Sequence, residues 1–282
     1  MYKKLSLPVL LLVLFCAYSC NQGTKKVVLK YKHKAGYEMI YETTVKSSLK
    51  LIEADTVFKA YSSDVKYRIS NVVKRVLEDS TYEVYSTSTK LSEVVTTKDS
   101  TFQKGEKKAW ERIVYFKPNG KTIDVEFPEP IDSAWAEYIR ESYKQGLPVF
   151  PDGDVFVGYS WAQTTKVLID EESSLSSTTY TIKSFAREKG YDCVVVEYEG
   201  NMVIPIKPYA VEKSKELREG VDRMDMKGVL YFAYKEGVVV SFRENWKLNG
   251  NRKVTKEDGE ITGYTVKMEG DYNEILIDRI KP

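Results

Sequence analysis

Alternation of apolar and polar residues with a period of two constrains this chain more than any other feature. Segments 27–33, 64–70 and 122–127 each place a larger, mostly apolar side chain at every second position. Successive side chains of a strand point to opposite faces, so each segment presents one buried face and one wet face. The 21 tyrosines are good strand formers. We therefore predict a mainly β (α+β) fold of half-buried antiparallel strands.

One segment departs from this pattern. In PEPIDSAWAEYIRESYKQGLP the apolar positions recur at helical spacing, Asp132 or Ser133 is a suitable N-cap, and Gly146 and Pro148 form a stop signal. The sequence predicts one main helix over about residues 132–145.

The two halves of the chain contain similar segments in the same order. IVYFKPNGKTIDVEF from Ile113 resembles VLYFAYKEGVVVSF from Val229, and each reads as a strand, a turn with glycine and a second strand. Upstream, GYEMIYETT at Gly36 parallels GYSWAQTT at Gly158. We predict a duplication with a first β repeat at 27–128, a helical connector at 129–150 and a second β repeat at 151–282.

The sequence is compatible with two arrangements of a duplicated antiparallel curved sheet. The two sheets pack face to face as a sandwich, or they lie side by side as an open half-barrel with the helix in its concave side. In the second arrangement, an incompletely covered concave face is a candidate ligand site.

The N-terminus has the features of a secretory signal. Lys3 and Lys4 precede an apolar run at 5–15 that is shorter than the roughly 20 residues a membrane-spanning helix needs. Small residues, Ala17 and Ser19, stand shortly before Cys20.

This stretch resembles a bacterial lipobox, although Tyr18 is large. The resemblance implies that residues 1–19 are a cleaved lipoprotein signal peptide, that Cys20 is lipidated, and that residues 20–26 are a tether to a membrane partner. An ordinary signal peptide with an incidental cysteine is the alternative.

Charge argues against nucleic acid as a partner. The chain has 43 basic and 41 acidic residues; removal of the two leader lysines leaves 41 against 41. Phosphate binding needs a basic excess on one face, which a neutral chain does not supply overall.

No catalytic or metal-ligating set emerges from the sequence. His33 is the single histidine and occupies a strand-like position, and Cys193 lies in a strand pattern typical of a small buried residue. The carboxylate pairs fall at turns or on wet strand faces: Asp124/Glu126, Asp152/Asp154 and Glu197/Glu199. We expect no catalytic residues, no metal and no cofactor.

Aromatic side chains are the remaining candidates for ligand contact, because their faces are apolar and their edges or hydroxyls are polar. Core packing is the alternative role. The candidates are Trp135, Tyr138, Trp161, Tyr115 and Tyr231.

The lipobox, the duplicated β body and the GYSWAQTT opening of a late strand together resemble a group of uncharacterised lipoproteins common in Bacteroidota. More distantly, a half-barrel with a helix in its mouth is similar to the carriers LolA and LolB, which shelter acyl chains. Surface-exported lipoproteins of the Bacteroidota group tend to carry acidic residues just after the cysteine. None directly follows Cys20, so the resemblance implies a periplasm-facing anchor in the outer membrane.

These observations predict a lipid-anchored, non-enzymatic protein of the cell envelope that binds an amphiphile or an envelope protein on a curved sheet. Two alternatives stay open: a glycan-binding or glycan-processing hydrolase that uses a carboxylate pair, and a scaffold subunit of an envelope complex.

Overall fold

The computed structural model describes residues 25–105, 110–131, 136, 139–140, 143, 148–169, 172–210, 217–256 and 258–281. These residues form strands that pair antiparallel throughout. In chain order, the strands are β1 (Val27–Val28), β2 (Glu38–Glu53), β3 (Thr56–Val76), β4 (Tyr82–Thr97), β5 (Thr101–Lys104), β6 (Glu111–Phe116), β7 (Thr122–Glu126), β8 (Asp154–Val155), β9 (Ser160–Ile169), β10 (Glu172–Glu188), β11 (Tyr191–Ala210), β12 (Leu217–Ala233), β13 (Val238–Thr255) and β14 (Ile261–Ile280).

Twelve of these strands make one continuous open sheet in the order β7-β6-β4-β3-β2-β14-β13-β12-β11-β10-β9, with β5 beside β4; β1 and β8 form a separate pair. The first half of the chain is one meander and the second half is another. They are joined side by side through β2 and β14, where Val45 pairs with Tyr272. The predicted antiparallel curved sheet is confirmed, in the side-by-side arrangement. The internal duplication and its boundaries stay a prediction.

Most of the register shifts in the sheet lie towards one end, and the others lie in its middle or at the opposite end. Register shifts occur near the first of these ends in five strand pairs, for example between Tyr115 and Phe116, between Tyr231 and Phe232, and after Leu276. A bulge adds a residue to one strand, bends it and increases its twist. The sheet therefore closes inward there, around side chains from both meanders.

Residues 29–33 and 148–150 fill this end, which we call the plugged end; the opposite end is the far end. Leu29, Tyr31 and His33 are buried, while the residues between them are exposed. The alternation therefore predicted correctly which side chains are buried, but the predicted strand is wrong beyond Val28. Residues 29–33 run as an extended plug because their backbone bonds to turns: Tyr31 N donates to Pro118 O (2.7 Å).

The two similar turns of the halves both support this plug. Lys32 N donates to Gly237 O at 3.1 Å, and Phe150 N donates to Asn119 O at 2.7 Å. Gly120 and Gly237 have φ of 91° and 66°. A Cβ on Gly120 would lie 2.6 Å from Pro148 O, and one on Gly237 would overlap the backbone at Lys32. Glycine is needed at both turns for the conformation and for the close approach.

The gap between the edge strands β7 and β9 is bridged by the segment that connects the halves. Thr122 Oγ1 donates to Tyr143 O at 3.1 Å, Arg140 Nε donates to Val125 O at 2.9 Å, and Val149 N donates to Gln163 Oε1 at 2.9 Å. The sheet edges thus share a bridging segment and do not pair with each other.

The predicted main helix over 132–145 is not seen as an element. Ala136, Ile139, Arg140 and Tyr143 have helical backbone, and the other residues of 132–145 lie outside the described residues. The four described positions share one helical face, because they follow i, i+3, i+4 and i+7 spacing. Among the residues described, the structure contains no helical segment with the length and hydropathy that a membrane crossing requires.

Candidate functional site

The inner face of the sheet encloses a cavity of about 540 Å³ above the plug. Its walls are predominantly apolar and aromatic and come from both meanders, from the plug and from Tyr143 and Pro148 of the bridging segment. Small-molecule sites typically have volumes of about 300–1,000 Å³ and apolar walls with a few placed polar groups. The cavity therefore has the size and lining of a ligand site.

One row of cross-strand pairs defines the wall on the second meander. Trp161 pairs with Tyr180, Tyr180 with Tyr198, and Tyr198 with Gly228. The Trp161 and Tyr180 rings stack at 5.1 Å, and the Tyr180 and Tyr198 rings are 5.6 Å apart. Paired residues on one face lie close enough for such contacts. We call Trp161, Tyr180, Tyr198 and Phe242 the aromatic ladder.

Gly228 lets the ladder cross strand β12. The Tyr198 ring lies over Gly228, in the space that a Cβ on this glycine would occupy. It continues to Phe242 of β13, where the two rings stack at 5.7 Å with an interplanar angle of 8°. The hydroxyl of Tyr198 then donates to Glu244 Oε2 at 2.6 Å. A glycine in the strand interior here marks a close side-chain approach.

Two carboxylates project into the cavity from neighbouring strands. Glu244 pairs with Tyr272 and Glu274 pairs with Phe242, so the two acids are diagonal neighbours. Diagonal Cβ atoms are somewhat less than about 7–8 Å apart. Oε2 of Glu274 accepts hydrogen bonds from the Tyr272 hydroxyl at 2.7 Å and from Thr43 Oγ1 at 3.2 Å.

Burial raises the pKa of both carboxyl groups, and the hydroxyl donors partly oppose that shift. The charged form of a carboxyl is disfavoured away from water because it loses hydration. Burial and the nearby carboxylates also raise the pKa of the Tyr198 and Tyr272 hydroxyls, which therefore stay protonated and donate. Around the two acids the wall is thus a donor-rich, poorly hydrated patch.

Arg112 of β6 lines the opposite wall. One terminal nitrogen donates to Ser88 Oγ at 3.2 Å, and the guanidinium lies 4.9 Å from the centre of the Tyr143 ring. It is the only lysine or arginine that lines the cavity among the described residues, and its field lowers the pKa of Glu274. The cavity therefore contains one cation and two acids.

His33 lies at the bottom of the cavity among rings. Its ring centroid is 5.1 Å from that of Tyr82 and 5.7 Å from that of Phe116. Burial, followed by the field of Arg279, lowers the pKa of His33 to about 4. The imidazole is therefore neutral at physiological pH.

A buried ion pair occupies the same inner face nearer the far end. Arg252 donates to Asp222 Oδ2 at 2.5 Å, and the two side chains are 13% and 6% exposed. Gly250 pairs with Asp222, and a Cβ on this glycine would overlap Asp222 Oδ1. The missing side chain makes room for the carboxylate.

A second depression, of about 640 Å³, is less suited to a specific ligand. It is more open, and charges of both signs border it, including Lys46 and Asp64 at 3.7 Å from each other. Exposed pairs of this kind contribute little energy and are well hydrated. We therefore assign the ligand site to the inner cavity.

Of the aromatic residues predicted as ligand contacts, the three that the structure describes, Trp161, Tyr115 and Tyr231, are not brought together. Trp161 adjoins the cavity through its stack on Tyr180. Tyr115 donates to exposed Glu126 at 3.2 Å. Tyr231 is next to Leu230, which lines the cavity, so its side chain points to the opposite face of the strand. Trp135, Tyr138 and the lipidation candidate Cys20 lie outside the described residues.

Other predicted positions have clear locations. Cys193 is fully buried, and burial raises the pKa of its thiol to about 11, as a structural cysteine requires. The sequence-predicted carboxylate pairs are exposed, and Glu197 and Glu199 face Lys183 at 3.2 Å and Lys227 at 3.0 Å. Within the described ranges, no three His, Cys, Asp or Glu residues cluster so as to hold a metal ion.

Sequence reasoning missed the polar residues of the cavity, although a signal for them exists. Glu244 stands between Phe242 and Trp246 in SFRENWKL, and Glu274 stands between Tyr272 and Leu276 in DYNEIL. Each acid occupies the apolar register of its strand. An acid in that register is unusual, since buried acids are rare unless they have partners.

No family model and no curated protein matches the chain. Among solved structures, lipovitellin, described for its lipid-protein interactions, has a TM-score of 0.45 at 8% identity; the match covers 88% of this chain and 26% of that one. The COG4313 outer membrane channel of Pseudomonas putida F1 has a TM-score of 0.27 at 7% identity over 88% of this chain and 97% of that one. Pseudomonas putida OprB has a TM-score of 0.24 at 9% identity over 85% of this chain and 93% of that one. At these scores the similarity carries no functional argument.

Proposed function

We propose that this protein is a lipid-anchored, periplasm-facing protein of the cell envelope that binds an amphiphile in its inner cavity and performs no chemical step. The cavity carries the proposal. Its 540 Å³ is lined by Tyr180, Tyr198 and Phe242 of the aromatic ladder and by methionines and aliphatic residues, and a few polar groups face it. An amphiphile matches this mixture, because its tail needs apolar walls and its head needs hydrogen-bonding partners.

The start of the described chain supports an orientation for this proposal. Lys25 Nζ lies 4.2 Å from the Phe185 ring centre and 4.7 Å from that of Tyr234. Both rings flank turns at the plugged end. If Cys20 carries the acyl anchor, five extended residues reach at most about 18 Å. The plugged end would then lie close to the bilayer, and the far end would face the periplasm.

A cavity-filling substitution tests the proposal. Thr178 lines the cavity, whereas its neighbour Thr179 is exposed on the other face of β10. The wild type, Thr178→Trp and Thr179→Trp would be extracted in mild detergent and examined by native mass spectrometry, with circular dichroism to verify folding. We expect a bound amphiphile in the wild type and in Thr179→Trp, and its loss in Thr178→Trp.

Equal ligand content in all three folded proteins would place the amphiphile elsewhere. Should Thr178→Trp fail to fold, Met226→Trp replaces it, because Met226 also lines the cavity. A wild-type protein that retains no amphiphile and also binds none when it is offered contradicts the proposal and favours a scaffold role.

A further inference from the structure

The bottom of the cavity carries buried polar atoms without a partner. The Tyr31 hydroxyl and His33 Nδ1 make no hydrogen bond within the described part of the chain. Both residues line the cavity, and they are only 5% and 8% exposed. Buried polar groups in native proteins almost always have a hydrogen-bond partner. These two atoms therefore indicate that a polar group of a ligand reaches the plugged end.

The charge around this position is acidic. Glu274 lies close enough to Tyr31 that its field, after burial, is the next cause of the raised pKa of the Tyr31 hydroxyl. In Glu244 and Glu274 only Oε2 accepts hydrogen bonds from described residues, and neither acid forms an ion pair there. A carboxylate in a poorly hydrated site needs a charge partner or further donors.

Arg112 does not supply that partner. Arg112 is on the first meander; one terminal nitrogen donates to Ser88 and the guanidinium lies over Tyr143. Its buried Nε has no hydrogen-bond partner among the described residues, and its field reaches Glu274, but it forms no ion pair with either acid there. The two acids outnumber it, so an ionised cavity carries a net negative charge. A cationic group from outside the protein fits this imbalance better than an anionic one.

Beyond the acids the inner face is apolar up to the Asp222–Arg252 ion pair. Met202, Met224 and Met226 line the cavity there, and a second apolar cluster continues outward with Ile204, Leu248 and Val266. Methionine is flexible and adapts to alkyl chains of different shape. This stretch is suited to a hydrocarbon tail that points away from the plug.

Building on the proposed amphiphile binding, we propose that the ligand has a single chain and a protonated amine head group, and that it lies head first against Glu244, Glu274 and Tyr31. An ammonium group has three donors and no acceptor, which matches two free carboxylate oxygens and a phenolic oxygen. The 540 Å³ corresponds to about 18 water-sized groups at about 30 Å³ each, which suits one chain.

Three ligands of equal chain length separate the head groups. Binding of decylamine, decanoate and decan-1-ol would be measured at pH 7.5 by displacement of a fluorescent naphthylamine probe from the delipidated full-length protein. We expect decylamine to bind about 10-fold or more tightly than the other two, since charge-assisted hydrogen bonds are the stronger kind.

Matched variants assign the preference to its residues. We expect Glu244→Gln and Glu274→Gln each to reduce decylamine affinity about 10-fold and to leave decan-1-ol unchanged, and Tyr31→Phe to reduce it several-fold. Glu199→Gln, on an exposed position of β11, serves as the control and should change nothing.

The outcomes separate this inference from the proposed function. Equal binding of all three ligands leaves amphiphile binding intact and overturns the amine assignment. Tighter binding of decanoate, lost in Arg112→Gln, also overturns it and reverses the polarity of the head-group site. Failure of all three to bind overturns the proposed function together with the inference.

Discussion

The hydroxyl of Tyr198 reaches Oε2 of Glu244 at 2.6 Å across an intervening strand. The two residues belong to β11 and β13, and only Gly228 of β12 separates them in their row of cross-strand pairs. This contact couples the aromatic wall of the cavity to one of its two acids. The position of the acid therefore depends on a residue that has no side chain.

Gly228→Ala should disrupt this contact. The added methyl group would occupy the position of the Tyr198 ring. Overpacking of this kind destabilises by about 1–3 kcal/mol, and we also expect weaker ligand binding because Glu244 loses its donor. Urea denaturation and probe binding measure both effects. Gly263→Ala is the control, since among the described residues the only atom within 4 Å of a Cβ there is Arg252 O at 3.4 Å. Comparable losses in both variants would contradict the specific role of Gly228.

Glu274→Gln should stabilise the unliganded protein at high pH. The folded-state pKa of Glu274 is raised above its unfolded value, so the folded state binds the proton more tightly. The contribution of this group to the free energy of unfolding is therefore fully present below the unfolded-state pKa, and it is lost as the pH rises through the folded-state pKa. Glutamine carries no charge and still accepts from Tyr272 and Thr43.

The charged and titratable groups around Glu274 are Tyr272 of β14, Glu244 of β13, Tyr31 of the plug, Tyr41 of β2, Arg112 of β6 and Tyr143 of the bridging segment. Denaturation midpoints at pH 4 and pH 8 test the expectation: the gain over wild type should appear at pH 8 and shrink at pH 4, with about 2–4 °C in Tm for each kcal/mol. A loss of stability at pH 8 would mean that the carboxylate is favourably partnered within the folded chain.

His33→Phe should make the protein less sensitive to acid. The pKa of His33 is about 4 in the folded state and about 6.5 when unfolded, so the unfolded state binds more protons between these values. Stability is therefore lost as pH falls from about 6.5 to about 4, by about 3 kcal/mol at the lower limit. The groups that face His33 are Arg279 and the rings of Tyr31, Tyr82 and Phe116.

His33 is the only histidine of the chain, which simplifies the measurement. Free energies of unfolding for wild type and His33→Phe would be compared at intervals from pH 7 to pH 4. We expect the two curves to diverge as the pH decreases, with the variant retaining more of its stability. Parallel curves would show that protonation of His33 does not drive the acid response.

Asp222→Ala should be strongly destabilising. It leaves the guanidinium of Arg252, 13% exposed, without its carboxylate. Removal of one member of a buried ion pair typically costs about 3–5 kcal/mol. Glu219→Ala provides the control on the same strand, because Glu219 and Lys253 are 4.0 Å apart and well exposed; its effect should be below about 1 kcal/mol. Similar losses in the free energy of unfolding for both variants would show that burial of the ion pair does not determine the cost of breaking it.

Cys193 should resist thiol reagents in the folded protein. The thiol is fully buried, and its pKa of about 11 leaves little of the reactive thiolate at neutral pH. We expect iodoacetamide to label Cys193 only after denaturation in urea, as read by peptide mass spectrometry. Rapid labelling of the native protein would indicate that this part of β11 opens readily.

The period-two pattern predicted the sheet and its inner face well, because alternation reports directly on which side of a strand is buried. It identified Leu29, Tyr31 and His33 as buried but made them a strand. Alternation does not specify a pairing partner, and these residues bond to turns. The same limit explains why the pattern did not reveal that β2 pairs with β14.

The candidate site was less accessible to sequence reasoning. Aromatic residues are common in the chain, so type alone did not separate Tyr180 and Tyr198, which line the cavity, from Tyr115 and Tyr231, which do not. The separation depends on register, which bulges shift near the plugged end. The acids Glu244 and Glu274 were detectable as polar residues in apolar registers of their strands.

The junction between β2 and β14 has a consequence for how the chain acquires its structure. Thr43 and Glu274, which meet there, are 231 residues apart in sequence. Each meander can assemble from local hairpins, but the cavity cannot exist until the two meet, and such distant contacts form slowly. Until then β2 presents an unpaired edge, which is prone to association with other chains. We expect chaperone protection to matter most in this interval, and refolding in isolation to be limited by aggregation.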